Sequence, residues 1–143
     1  MKFFLTLLTL VAGSFALTGT AAADVTGVWE TVGGKSHVEI KSCNTDKFCG
    51  EIIWLREPNN KQGTPKQDIN NSEEDLRSRP ILGISLLTDL EKSGADEWDD
   101  GTIYNPEDGQ TYSSEMMLMD AKTLEVKGCV LFICKTQTWK RVR

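Results

Sequence analysis

The sequence predicts an all-β protein: an eight-stranded antiparallel up-and-down barrel with one long loop at about residues 56–80. Apolar and polar residues alternate with a period of two through most of the chain, whereas a helical period near 3.6 is hard to find. Short turn sequences rich in Gly, Asn and Asp separate the alternating runs. Closing the strands into a barrel removes both exposed edges, and a two-sheet sandwich is the alternative.

The first three predicted strands lie near 26–32, 36–43 and 48–55. In the second, Val38 and Ile40 alternate with charged or polar neighbours, as expected for a half-buried strand. The third is apolar on both faces, and the turn NTDK joins it to the second. These segments therefore predict a strand followed by a hairpin.

Three further strands are predicted near 81–89, 97–104 and 110–119. The turns KSGADE and NPEDGQ connect them. Alternate positions form apolar rows in the first and the last of these strands, which indicates one face turned toward a core. The rows are Leu82, Ile84 and Leu86, and then Tyr112, Ser114, Met116 and Leu118.

The last two predicted strands lie near 123–130 and 133–142.

Between the third and fourth strands, residues 56–80 are polar and hold three of the four prolines of the chain. Loops of this length in compact domains are usually functional or disordered. This loop is thus predicted to be a lid or a partner contact, or else a solvated connection without a role.

Residues 1–23 are predicted to be a cleaved export signal. Lys2 provides the positive start, an apolar run follows, and three alanines offer a cleavage site before Asp24. Removing 23 of the 143 residues leaves 120, residues 24–143, which suits a single domain. The predicted location is the periplasm, and the mature chain has no stretch of roughly 20 apolar residues that would span a membrane.

The charge of the chain argues against a nucleic-acid partner. The formal charge is −5 at pH 7, and loss of the lysine in the signal makes it one unit more negative. Backbone binding to nucleic acid needs a basic face, and positive charge is concentrated only in the final TWKRVR.

Four cysteines form two close pairs, and in an oxidising compartment an even count indicates disulfides. Sequence alone permits three connectivities. Strand-like flanks favour Cys43–Cys49 and Cys129–Cys134, each clasping one hairpin. A zinc site is the rival interpretation, but the pairs are separated by five and four residues rather than two. We predict no metal site and no cofactor.

The stretch DEWDDGTIYNPE, residues 96–107, partly matches a calcium-binding loop, because Asp, Asp, Gly and Glu fall at positions 1, 5, 6 and 12. However, Trp98 occupies position 3, where an oxygen ligand is required. Pro106 lies where the exiting helix should be under way, and both flanks are strand-like. The stretch is predicted to be a strand that runs into a hairpin turn.

The pattern W-x-x-G-x-I-Y-x-P-x-x-G-x-x-Y, from Trp98 to Tyr112, resembles the signature of the bacterial family called domain of unknown function 2147. The segments TGVWET, CGEIIWL, INNSEEDLRSRPILGI, LEVKGC and QTWKR agree with that family in order. The resemblance covers nearly the whole mature chain. It implies a small exported protein with a lipocalin-like (calycin-like) barrel and no settled biochemical role.

Gly27 and Trp29 near the start, with Arg141 in the last strand, also resemble the lipocalin floor. There a tryptophan packs beneath an arginine whose guanidinium reaches nearby carbonyls. The resemblance implies structural roles for Trp29 and Arg141. Trp139 is predicted to plug or cover the barrel.

Catalytic motifs are scarce in this sequence. His37 is the single histidine, its neighbours suggest a solvated face, and no G-x-S-x-G elbow accompanies it. A carboxylate dyad contributed by two strands stays open as a glycosidase alternative. The sequence therefore favours binding over catalysis.

The predicted ligand is a small, apolar or amphipathic molecule. Large or adaptable side chains on the strands are suited to an apolar ligand. Two arginines of the long loop are suited to clamping a carboxylate or phosphate, or they pair with Glu73, Glu74 or Asp75 to pin the loop. The alternative function is an envelope protein-interaction module with a filled core that docks through the loop. The predicted ligand-binding residues are Trp54, Arg77, Arg79, Trp98, Tyr104, Tyr112 and Met116.

Overall fold

The computed structural model describes residues 24–143, so the predicted export signal lies outside the described residues. Eight strands and two short 3-10 turns make up the fold. The turns are η1 (Val32–Gly34) and η2 (Glu74–Leu76). The strands are β1 (Gly27–Glu30), β2 (Ser36–Asn44), β3 (Lys47–Leu55), β4 (Ser85–Lys92), β5 (Glu97–Asn105), β6 (Gln110–Asp120), β7 (Thr123–Val130) and β8 (Ile133–Arg141).

The strands form a closed barrel in chain order, and each pairs antiparallel with the next. The predicted up-and-down barrel is therefore confirmed. β8 returns to β1 through only two register pairs, Trp29 with Arg141 and Glu30 with Lys140. This seam is short because β1 ends at Glu30, and the chain then turns away into η1.

The strand directions give the barrel two distinct ends. We call one the floor end, where the turns after β2, β4 and β6 meet both ends of the described chain. We call the other the mouth end. It carries η1, the loop between β3 and β4, the β5–β6 turn and the tip of the β7–β8 hairpin.

Large side chains fill the interior toward the floor end. Trp29, Trp98 and Trp139 are all almost fully buried, together with leucines of β4 and β7. Gly101 makes room for this packing, because a Cβ at that position would lie 2.4 Å from the Leu90 Cγ atom. Burial of this apolar surface is the main stabilising term for the barrel.

The fourth strand differs from its prediction, since it begins at Ser85 rather than near residue 81. Gly83 has a φ of +95°, which breaks the extended backbone. The preceding segment is joined to β3 irregularly, with the Ile52 amide donating to the Ile84 carbonyl at 2.9 Å. As a result Leu82, which was predicted to share a row with Ile84, is exposed.

Two local predictions are confirmed. The disulfides are Cys43–Cys49 and Cys129–Cys134, so these cysteines offer no thiolates for a zinc ion. The calcium-like stretch is strand β5 running into the β5–β6 hairpin, which closes with Asn105 opposite Gln110. In residues 24–143, no helix is both long and apolar enough to cross a membrane.

Candidate functional site

At the floor end, Arg141 joins the last strand to the first described residues. Its guanidinium lies 4.2 Å from the centre of the Trp29 ring. Its three nitrogens donate to the carbonyls of Ala121 at 2.6 Å, Thr26 at 2.6 Å and Asp24 at 2.8 Å. All three nitrogens of the planar group thus donate within the protein, which indicates a structural role.

At the mouth end, four side chains fix the long loop to β5, and we call them the loop anchor: Asp68, Asn71, Arg79 and Tyr104. Asp68 is fully buried, at 0% exposure. One of its carboxylate oxygens accepts from Arg79 Nε at 2.9 Å and Nη2 at 2.8 Å, and from Asn71 at 2.8 Å. The other accepts from the Tyr104 hydroxyl at 2.6 Å. A buried carboxylate needs this full set of partners.

The loop anchor affects the ionisation of Tyr104. Burial of the phenol, followed by its hydrogen bond to Asp68, raises the pKa of Tyr104 above the ordinary value of 10.0. The Arg79 guanidinium lies 5.4 Å from the centre of the Tyr104 ring. The neutral phenol therefore serves as a donor to Asp68 at any pH below its raised pKa.

Main-chain contacts secure the rest of the loop. Arg77 Nε donates to the Asn71 carbonyl at 2.8 Å. The Asn70 amide donates to the carbonyls of Pro106 at 3.2 Å and Glu107 at 3.1 Å, so the loop contacts the β5–β6 turn. The two loop arginines thus hold the loop itself, through Asp68 and main-chain carbonyls rather than through the acidic run 73–75.

The other residues predicted to bind a ligand are spread over the barrel. Trp54 is 42% exposed, and its ring lies 4.3 Å from that of His37. A register shift between His37 and Val38 moves Trp54 off the buried row that Ile52 occupies. The Tyr112 hydroxyl donates to Asp108, and this hydrogen bond raises the pKa of the tyrosine.

Trp98 and Met116 are register partners on neighbouring strands, and both are buried. They contribute to a shallow cleft of about 200 Å³ that includes Met117, Glu125 and other residues of β5–β8. The Trp98 indole nitrogen is buried and has no hydrogen-bond partner among the described residues. The ring packs edge-on against Phe48 at 6.1 Å, which indicates a core position.

A larger cavity of about 520 Å³ opens beside the short β1–β8 seam, and we call it the seam slot. One side is the turn from Glu30 to Gly34, and the other is formed by β8 residues Thr136, Gln137, Thr138 and Lys140. The slot occupies the place that a longer β1 would have filled. None of the seven predicted ligand-binding residues lines it.

Gln137 connects the seam slot with the barrel interior. It lies two residues from the buried Trp139 and therefore on the same face of β8. The Trp139 indole nitrogen donates to the side-chain oxygen of Gln137 at 3.0 Å. The exposed side-chain amide of Gln137 is therefore a part of the inner wall of the barrel that solvent reaches.

Sequence reasoning missed two residues that matter most at this end, Asp68 and Gln137. Asp68 stands in a polar loop sequence that has no periodicity, so nothing local distinguishes it from its neighbours. Gln137 belongs to a regular strand row, but its exposure depends on where β1 ends. The pair Gly33-Gly34, with φ of +72° and +64°, was the available signal for that early end.

The closed eight-stranded barrel, with an arginine stacked on a tryptophan at its floor, defines this protein as a lipocalin-like small barrel. A similar solved structure is that of protein HP1028 from the human pathogen Helicobacter pylori, which is described as belonging to the lipocalin family. It is 29% identical, with a TM-score of 0.73 over 84% of each chain. The family described as "Uncharacterized protein conserved in bacteria (DUF2147)" matches residues 27–141, and the chain belongs to it. No curated protein matches the chain.

Proposed function

We propose that this protein is exported to the periplasm and binds a small amphipathic molecule in the seam slot. Two disulfides are compatible with an oxidising compartment. The lipocalin-like barrel is an architecture that holds small ligands at an open end. The observation that carries the proposal is the seam slot, a cavity of about 520 Å³ beside an inner-wall glutamine.

The lining of the slot suggests the class of ligand. Val32 and the two glycines beside it offer an apolar surface, and Val32 is half exposed. Across the slot, Gln137, Thr138 and Lys140 offer hydrogen-bond donors. Glu30 brings negative charge to the same lining, so an amphipathic molecule with an uncharged, acceptor-rich head, such as an amide, fits this arrangement. Ligand sites commonly have about 300–1,000 Å³ and few polar groups.

The filled interior limits how deep the ligand lies. Trp139 is fully buried directly beneath Gln137, and Trp29 fills the floor. The ligand is therefore held at the rim rather than in a deep lumen. Such a site favours modest affinity and fast exchange, because much of the ligand stays in contact with water.

Native mass spectrometry of protein purified from cells tests the proposal, followed by thermal-shift measurements with lipids and small metabolites. Thr138→Trp fills the seam slot and should abolish ligand binding and the associated shift. Thr111→Trp is the matched control, because Thr111 is an exposed strand threonine outside the slot. An empty protein with no thermal shift, or a Thr138→Trp variant that binds as the unmodified protein does, contradicts the proposal.

The second candidate function is an envelope protein-interaction module that docks through residues 56–80. The filled core and the fixed position of the loop favour it, and Ile69 of the loop is 69% exposed. A photoreactive residue at position 69 should then give a specific cross-link in cells, while one at position 111 should not. Absence of any cross-link at 69, together with ligand capture by the slot, rejects this candidate.

A further inference from the structure

The tip of the β7–β8 hairpin exposes four consecutive apolar residues, and we call it the apolar tip. The exposed fractions are 47% for Val130, 86% for Leu131, 90% for Phe132 and 71% for Ile133. Single exposed apolar residues are ordinary, but a contiguous apolar projection on a protein surface usually marks an interaction site. No function described above uses these residues.

The backbone of the apolar tip is ordered by the hairpin itself. Val130 pairs with Ile133, and Cys129 pairs with Cys134. The disulfide between these two cysteines closes the base. Only two residues form the turn, and Leu131 adopts the positive φ of 54° that such turns require. The tip is thus held in shape without a partner, and its strand pairing extends to Val130 and Ile133.

The charges around the apolar tip favour an anionic surface. Lys135 follows the disulfide on β8 and is exposed, whereas Lys127 on β7 already pairs with Glu115 at 3.0 Å. Acidic groups of the neighbouring β5–β6 turn are already engaged: Glu107 pairs with Lys35 at 3.0 Å, and Asp108 accepts from Tyr112. Lys35 thus balances the charge of Glu107, and Lys135 provides positive charge directly behind the apolar tip.

The geometry distinguishes a bilayer from a protein groove as the partner. Side chains of adjacent hairpin residues project to opposite faces, so the apolar tip is convex and apolar on both sides. A groove covers one face, whereas the headgroup–acyl boundary of a bilayer surrounds the whole projection. Entry into that boundary favours paired backbone groups, and the hairpin pairs them up to Val130 and Ile133, on either side of the two turn residues. Lys135, just behind the apolar residues, then lies at the level of the phosphates.

We propose that the apolar tip inserts into the surface of a phospholipid bilayer and holds the barrel against it with the mouth end facing the lipid. Phe132 and Leu131 enter deepest, and Lys135 contacts anionic headgroups. The contact is reversible, because one short hairpin buries far less apolar surface than a membrane span does. This inference does not depend on a ligand in the seam slot.

Co-sedimentation of the purified protein with vesicles of phosphatidylethanolamine and phosphatidylglycerol tests the inference. We expect binding that weakens in phosphatidylcholine vesicles and at high salt. The double substitution Leu131→Asn and Phe132→Ser should reduce partitioning by at least about tenfold, because it removes the two most exposed apolar side chains. Met119→Ser is the matched control, since Met119 is also exposed but lies at the floor end of β6, and it should bind as the unmodified protein does.

A Phe132→Trp variant provides a positive readout on the same vesicles. Its emission should shift to the blue on binding and be quenched by lipids brominated near the headgroup. Failure of the unmodified protein to sediment overturns the inference, as does unchanged sedimentation of the double variant. A dimer that the double variant abolishes, without vesicle binding by either protein, also overturns it and assigns the tip to a contact between copies.

Discussion

The two ends of the barrel are each held by an arginine, but the acceptors differ. At the floor end, Arg141 donates to three main-chain carbonyls and lies over Trp29. At the mouth end, Arg79 donates to one buried carboxylate, that of Asp68. The three carbonyls lie directly beside the ends of β1 and β6, so pairing of these strands puts them in place, whereas the carboxylate acceptor depends on closure of the long loop. The floor is therefore part of the fold, and the loop anchor is an addition to it.

This contrast explains where binding surfaces are found. The seam slot and the apolar tip both lie at the mouth end, where turns and loops replace regular strand pairing. At the floor end, Arg141 donates to carbonyls within the protein. A scaffold of this kind keeps one end rigid and leaves the other available for contacts.

The largest expected effect follows from breaking the floor. Arg141→Ala removes three charge-assisted hydrogen bonds and the stacking on Trp29, so we expect the free energy of unfolding to fall by about 4 kcal/mol. Urea denaturation measures it. Arg141→Lys should retain only a minor part of the stability that Arg141 provides, because an ammonium cannot reach three carbonyls in one plane. A loss below about 1 kcal/mol for Arg141→Ala would show that strand pairing alone holds the floor.

Breaking the loop anchor should lower the free energy of unfolding less than the floor variant does, but it should reduce the protection of the long loop more. Asp68→Ala leaves Arg79, Asn71 and Tyr104 without their shared acceptor, and we expect a loss of about 3 kcal/mol. Hydrogen exchange should increase in residues 56–80 while the floor strands stay protected. Asp75→Ala is the control, because Asp75 is an exposed acid of the same loop. Equal protection of the loop in both variants would contradict the anchoring role of Asp68.

The two disulfides allow the floor end and the mouth end to be compared directly, since one disulfide lies toward each end. Replacing Cys43 and Cys49 by serine affects the floor-end hairpin, and replacing Cys129 and Cys134 affects the mouth-end hairpin. Both close short loops, so each double variant should lose about 2 kcal/mol of unfolding free energy. Unequal losses would show that one hairpin keeps its structure without the covalent link.

The strands were predictable from sequence because their signals are local. Val38 and Ile40 alternate with polar neighbours and are buried, as the period of two requires. The disulfide pairing followed from the same strands, since each pair flanks one hairpin. Short-range sequence patterns were therefore sufficient to predict the barrel, its strand order and its two disulfides.

The contacts that shape the mouth end depend on long-range geometry. Asp68 lies 36 residues from Tyr104 in sequence, and no pattern in the polar loop links the two. The face of Trp54 depends on a register shift within the β2–β3 pair. The seam slot depends on β1 ending at Glu30, two residues before the predicted end. Each of these requires knowledge of the folded pairing rather than of the local sequence.

The smallest expected effect concerns the two tyrosines of the chain, Tyr104 and Tyr112, both at the mouth end. Burial and then Asp68 raise the pKa of Tyr104, and the hydrogen bond to Asp108 raises that of Tyr112. Phenolate absorbance of the folded protein should therefore appear above pH 10.0, later than in the unfolded chain. In Tyr112→Phe the remaining signal reports Tyr104 alone.

The sign of the linked stability change follows from the direction of these shifts. Well below pH 10.0 both states keep the phenols protonated, so the tyrosines give stability no pH dependence there. As pH rises from that value toward the raised pKa of the folded state, the unfolded chain ionises first and the free energy of unfolding falls. Asp68→Ala in the Tyr112→Phe background should move the Tyr104 titration to lower pH, because both the hydrogen bond and the nearby negative charge are lost. An unmoved titration would mean that burial alone sets the pKa of Tyr104, and that Asp68 holds the loop through Arg79 and Asn71 without depending on the phenol.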